Sequence, residues 1–235
     1  MYLYNTSIID KRILYCYFWN VATVKRTYGQ YCGFARALEL IGERWALLIV
    51  RDLLIGPKRF SDIQRGLPGI PSNILTRRLN ELEDNGLIAR RALARPGKGV
   101  AYELTESGTA LENVVLALGR WGARHLGEAR PGETITEDSI ATALRTTFRP
   151  EAAGKVRLTY LLRLGEVEVH ARIANGSIAV GRGNVPTPDL VIETGPGLRA
   201  LLAREISPTE ALKKRLVRVT GDPKLLDRFV QMFQI

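Results

Sequence analysis

The segment 56–105 constrains the fold more than any other part of the chain. Within it, Leu75, Leu79 and Leu82 recur at i, i+4 and i+7. This spacing predicts a helix over residues 72–85 with those leucines on one face, turned to a core. The opposite face then carries Ser72, Asn73, Thr76, Arg77 and Asn80, short or forked polar groups suited to base edges or phosphate oxygens. Pro71 and Ser72 suit the start of this helix, Ser being a good N-cap, and Asn85-Gly86 supplies a left-handed stop. A shorter helix over 61–65 and a glycine-proline turn precede it. Residues 87–91 and 100–104 follow as paired strands, joined by the basic tip Arg95-Pro96-Gly97-Lys98-Gly99.

Helix, tight turn, helix and basic hairpin in this order predict a winged helix-turn-helix, a module for reading duplex DNA. Lys58, Arg59, Arg65, Arg77, Arg78, Arg90, Arg91, Arg95 and Lys98 outnumber the acidic groups of the segment. A phosphate backbone favours that sign, because each neutralised phosphate releases a condensed counterion. A tip carrying Arg95 and Lys98 can lie along the minor groove or its phosphates. A polar helix face alone is more commonly a solvated surface. The order of the surrounding parts decides for DNA.

Tyr28-Gly29-Gln30-Tyr31-Cys32, the run from Ala35 through Trp45, Leu47 through Leu54, Arg59-Phe60-Ser61-Asp62-Ile63, Leu79-Asn80-Glu81-Leu82 and Gly86-Leu87-Ile88 together resemble the HxlR branch of the MarR-like bacterial regulators. The likeness spans roughly a hundred residues and several motifs in order. It implies a homodimer bound to a palindromic operator; the expected protein is a cytoplasmic repressor. It also implies that the helix at Ser61 crosses the DNA backbone while the Ser72 helix enters the major groove. The candidate DNA contacts are therefore Arg59, Ser61, Ser72, Asn73, Thr76, Arg77, Asn80, Arg95 and Lys98.

Of the net charge of +10, residues 24–130 carry +6. These charges are spread over a helix, a loop and a hairpin, unlike an amphipathic membrane-surface helix. The apolar run 13–19 is too short to span a bilayer, and no signal-peptide cleavage pattern follows it. Family-like sequence begins near Lys25, so residues 1–24 are either an unusual extension or a start codon placed too far upstream, the latter being favoured. Cys16 and Cys32 make neither a disulfide framework nor a metal cluster. Cys32 precedes a helix whose dipole can favour its thiolate, and the resemblance implies that some members sense oxidants or electrophiles there. A small buried residue is the competing reading. His125 and His170 stand apart from other ligand types, and the chain shows neither a catalytic motif nor a phosphate loop. The expectation is no cofactor and no enzyme.

Leu111, Val114, Val115, Leu118, Trp121 and Leu126 give a helix over 106–127 more apolar surface than one winged domain covers. It is expected to join the helices beside Gly42 in a dimer interface, ordinary core packing being the alternative. Residues 129–133 break the pattern and divide the chain at 25–130 and 131–235. Beyond the break, Thr136 caps a helix with Ile140, Leu144 and Phe148 on one face. Strands follow at 156–164, 167–174, 177–182, 189–194 and 216–220, with Asn175-Gly176 as a hairpin turn and helices at 196–204, 207–212 and after Pro223. The fold class is α+β, an N-terminal winged domain followed by a C-terminal mostly antiparallel sheet covered by helices.

The succession from Asp189 to Thr194, the helix at Leu198, the Ser207 start and Val217-Arg218-Val219-Thr220-Gly221-Asp222-Pro223 resembles the sterol-carrier-protein-type-two fold. That likeness implies an apolar-ligand site, with Leu198, Leu201, Leu202, Phe229 and Phe233 as candidate walls or as plain core. Two functions stand against each other: a DNA-binding regulator with an apolar effector or a redox-sensitive cysteine, and a lipid or metabolite carrier using the winged part as a dimerisation scaffold.

Overall fold

The computed structural model describes residues 27–93, 99–127, 129–195 and 197–235. Residues 44–235 form one compact unit, and helix α1 (Gly33–Ile41) belongs to another. Ahead of α1, the Glu39 carboxylate accepts from the Thr27 hydroxyl and the Tyr28 N–H, each at 2.9 Å, and pairs with Arg36 at 2.7 Å. These bonds tie the incoming chain to the helix.

The larger unit begins with α2 (Ala46–Leu53), β1 (Lys58–Arg59), α3 (Phe60–Gly66) and α4 (Ser72–Asp84), then β2 (Ile88–Ala92) and β3 (Val100–Leu104). Leu75, Leu79 and Leu82 are buried, as their register predicts, and so are Ile49, Val50, Leu53, Ile63 and Ile88 of the neighbouring elements. The start of α4 differs from the expectation. Pro71 occupies the capping position and makes no side-chain bond, while Ser72 is already helical and its hydroxyl accepts from Gln64 Nε2 at 2.7 Å. Ser72 therefore clips the two helices of the motif together instead of capping its own. At the far end Gly86 takes φ +69°, Leu87 N–H returns to Leu82 O and Gly86 N–H to Glu83 O, a Schellman stop. The strands form an antiparallel sheet in the order β1-β3-β2, with Lys58 opposite Tyr102.

The single helix expected over 106–127 is two helices, α5 (Glu106–Thr109) and α6 (Glu112–Ala123). The Thr105 hydroxyl caps α5 by accepting from Gly108 N–H at 3.1 Å. Gly108 sits so close to Leu87 that an added Cβ would lie 2.0 Å from its carbonyl oxygen. That packing pins α5, and the chain turns at Ala110 and Leu111 before α6 begins. Of the apolar residues assigned to this stretch only Val115 is buried.

The rest comprises α7 (Glu137–Thr147), α8 (Pro150–Ala153), β4 (Arg157–Leu164), β5 (Val167–Ala174), β6 (Ser177–Arg182), β7 (Leu190–Thr194), α9 (Gly197–Leu202), α10 (Pro208–Lys213), β8 (Val217–Gly221) and α11 (Lys224–Met232). The sheet order is β6-β5-β4-β7-β8, antiparallel except between β4 and β7. The hairpin β5-β6 turns on Asn175 at φ +50° and Gly176 at φ +73°, the left-handed pair a two-residue turn requires. Thr136 caps α7 by accepting from Ser139 N–H at 3.2 Å. Ser207 likewise caps α10 by accepting from Glu210 N–H at 3.2 Å, and Glu210 pairs with Lys214 at 2.6 Å. Tyr160, Leu162, Val169, Ala171, Ile173, Leu190 and Ile192 meet Ile140, Leu144, Leu201, Leu226 and Phe229 in one core.

Helix α7 packs on β5 and β6 and also on α2 and α6. Gly119 makes the last contact possible, since a Cβ there would lie 3.0 Å from Thr146 Oγ1 and 3.2 Å from its Cγ2. Gly122, one turn on, faces open space. Urea unfolding should show Gly119→Ala less favourable than Gly122→Ala, because crowding against Thr146 opposes the gain in helix propensity. Gly122→Ala should gain up to about 1 kcal/mol from helix propensity.

Candidate nucleic-acid interface

The buried leucines of α4 fix which side of the helix meets solvent. Ser72, Asn73, Thr76, Arg77 and Asn80 are all exposed on that side. Thr76 Oγ1 donates to Ser72 O at 2.9 Å, and Arg77 Nε pairs with Glu81 at 3.0 Å. Arg78 departs from the count of surface cations. It is 6% exposed, its Nε donates to Arg44 O at 3.2 Å, and its guanidinium pairs with Glu81. One more step around the helix places it among the leucines.

Arg90 of β2 reaches across to α4. Its Nη2 donates to Asn80 Oδ1 at 3.0 Å and lies 3.0 Å from Glu83, while its guanidinium sits 5.8 Å from the Tyr102 ring centre. The hairpin is thereby fastened to the polar face of the helix, with the Asn80 carboxamide oriented by the bond. Arg91 pairs with Glu103 at 3.2 Å. At the start of α3 both Arg59 and Ser61 are exposed, and Arg59 N–H donates to Asp62 at 3.3 Å. Arg95 and Lys98 lie outside the described residues, as do Cys16 and the segment 1–24. A shallow groove lined by Arg44, Trp45, Gly69, Pro71, Ile74 and Arg78 flanks the first turn of α4. Trp45 starts α2 at φ +80°, with the Arg44 guanidinium 5.1 Å from its ring. No pattern in the sequence singled it out, because a left-handed tryptophan is imposed by its surroundings.

Lys58, also counted as a surface cation, is 1% exposed. Strand alternation turns it inward, where its Nζ meets Asp138 Oδ1 of α7 at 2.8 Å. Beside this pair lies Asp52, fully buried, with Oδ1 held by Arg51 Nε and Nη2 at 2.8 and 2.7 Å. Burial, reinforced by Asp138, pushes the Asp52 carboxyl up to about 6, against the pull of Arg51 and Lys58.

Residues 40–130 match the HxlR-like helix-turn-helix family. The HTH-type transcriptional regulator YodB of Bacillus subtilis is 39% identical over 102 residues, 43% of this chain and 88% of YodB. This chain belongs to the HxlR-like helix-turn-helix family. A second HTH-type regulator of Bacillus subtilis, YtcD, is 38% identical over 105 residues, 44% of this chain and 82% of YtcD. The solved structure of reduced YodB from Bacillus subtilis aligns at 37% identity with a TM-score of 0.36, covering 44% of this chain and all of that one. The winged helix-turn-helix is thus that of a family of transcriptional regulators.

Elsewhere in this HxlR-like chain, Leu198, Leu201, Leu202, Phe229 and Phe233 are all buried in the sheet-helix core. Phe229 and Phe233 stack at 4.5 Å between ring centres, Tyr160 lies 5.2 Å from Phe229 and Phe148 lies 5.6 Å from Phe233. No helix among the described residues is long and apolar enough to cross a membrane. Cys32 stands at the N-terminus of α1 and is exposed, against the buried alternative. The backbone N–H groups of Ala35 and Phe34 hold its thiol below the ordinary cysteine value. In a Cys16→Ser background, alkylation by iodoacetamide should therefore show a pH–rate midpoint below that of free cysteine. A midpoint at or above that value removes the activated-thiolate reading.

Proposed function

We propose that the protein is a homodimeric, sequence-specific transcriptional regulator that represses from a palindromic operator. The observation that carries this reading is the exposed face of α4, where Ser72, Asn73, Thr76, Arg77 and Asn80 stand on a helix fixed from behind by Leu75, Leu79 and Leu82. Such a helix enters a major groove with its polar face toward base edges. Arg59 and Ser61 then meet phosphates beside it, and Arg95 and Lys98 reach the neighbouring minor groove.

A second copy is supported by α6, whose Val114, Leu118 and Trp121 are exposed at i, i+4 and i+7, with Leu126 exposed beyond the helix. Two copies related by a twofold axis read two half-sites. In the C-terminal part, the five-stranded sheet with its helices and the Gly221-Asp222-Pro223 ending support the sterol-carrier-like reading, with an apolar effector near Leu198, Leu201, Leu202, Phe229 and Phe233. Phe229 and Phe233 stack on each other there, so an effector entering between them would couple its binding energy to a change of core packing. Modification of the exposed Cys32 is the other route by which operator affinity would change.

The second reading, a carrier of lipids or hydrophobic metabolites, is favoured by the same C-terminal core. The polar face of α4 gives a carrier no advantage. Genome-wide footprinting of the purified protein decides between them, and the absence of any site bound more tightly than bulk DNA sinks the regulator. On the operator so found, Arg77→Ala should cost about 1–3 kcal/mol and relax preference at one base position. Lys98→Ala should weaken all duplexes and lower the salt-dependence slope by about one. Gel shifts at graded salt measure both.

A further inference from the structure

We propose that Arg51, Asp52, Lys58 and Asp138 form a proton-operated latch between helix α7 and the corner of the helix-turn-helix built by α2, β1 and the end of α3. The two sides come from segments far apart in sequence, and the family match ends at residue 130, before α7 begins. Lys58 and Asp138 are almost fully excluded from water, and so is Asp52. With Arg51 holding its Oδ1, Asp52 Oδ2 is buried without a hydrogen-bond partner.

Gly66 shows where that orphaned oxygen points. A Cβ on Gly66 would lie 2.8 Å from Asp52 Oδ2 and 3.2 Å from Asp138 Oδ2. Two carboxylate oxygens therefore converge on one glycine from opposite sides of the junction. When both groups are ionised they repel each other in a poorly hydrated site. One proton on Asp52 cancels that repulsion and turns the orphaned acceptor into a donor.

The surrounding charges are accounted for. Lys58 faces Asp138 from β1, and Arg51 faces Asp52 from its own helix. Arg182 of β6 approaches Asp138 at 3.9 Å from the solvent side. On α3, Asp62 and Arg65 pair with each other. From α7, Arg145 donates to Leu54 O at 3.1 Å and pairs with Glu112 of α6, a second strap across the same junction.

The sign follows from the carboxyl raised to about 6 in the closed junction. A hydrated Asp52 titrates near about 3.9, so between these values the closed form binds the proton that the open form releases. Lowering the pH through about 6 therefore favours closure, and the advantage is lost as the pH rises above it. Opening frees β1, which carries Arg59, leads straight into α3 and pairs with β3 at the base of the wing. The effect on operator affinity rests on the DNA-binding reading, whereas the latch itself does not.

Hydrogen exchange of the full chain without DNA tests it. After correction for intrinsic exchange rates, opening of residues 56–70 should be about tenfold rarer at pH 5.0 than at pH 7.5, the ratio set by the two carboxyl values. Asp52→Asn, a neutral isostere, should make the same segment indifferent to pH. A wild-type segment that exchanges equally at both pH values overturns the latch without any variant. A pH dependence that survives in Asp52→Asn overturns it too. Either failure leaves the DNA-binding reading untouched.

Discussion

A helix covered on nearly all sides has to satisfy two neighbours at once, and α7 is in that position. Its Ile140, Ala141 and Leu144 belong to the core beneath the C-terminal sheet, while Asp138 and Thr146 face the DNA-binding half. The helix cannot rotate to improve one side without exposing or orphaning groups on the other. Asp138 makes this acute, because an unpaired buried carboxylate costs several kilocalories, and Lys58 is the cation 2.8 Å away. A buried ion pair adds little net stability over an apolar pair of the same shape, but it tolerates few alternative seatings. Separating the pair would strand both charges, so it opposes any seating of the two halves that parts them.

The two-residue strand β1 shows how one local rule distributes roles. Neighbouring residues of a strand point to opposite sides, so Lys58 enters the junction while Arg59 stays in solvent beside the helix-turn-helix. Structural charge and candidate phosphate contact are thus adjacent in sequence and back to back in space.

Most local patterns that reported on their own element were readable, the Ser72 cap being an exception. The leucine register of α4, the Asn175-Gly176 turn, the Thr136 cap and the limits of β5 and β6 all follow from spacing or backbone preference. Charge was read as exposure, and that inference failed at Lys58 and Arg78, whose partners are set by tertiary packing. Asp138 lies 80 positions from Lys58, beyond the reach of any periodic signal. The break between α5 and α6 has the same origin, since it depends on Gly108 meeting Leu87. For the candidate interface, the exposed set on α4 was legible but the clasp of Arg90 on Asn80 was not. For the apolar positions near Phe229, sequence identified residues turned inward, while the 4.5 Å stacking of Phe229 on Phe233 is a property of the packed core alone.

The arginines around α4 carry carboxylates of their own: Arg77 with Glu81, Arg90 with Glu83 and Arg91 with Glu103. A phosphate approaching these arginines would compete with acids already paired to them. A duplex that offers phosphates alone replaces one ion pair by another and gains little from the exchange. The same holds for the groups turned toward base edges, since Ser72, Thr76 and Asn80 already bond to Gln64, the Ser72 carbonyl and Arg90. A ligand of this face therefore has to exchange bonds that the free protein already holds, and what it gains is set by the difference between the two sets.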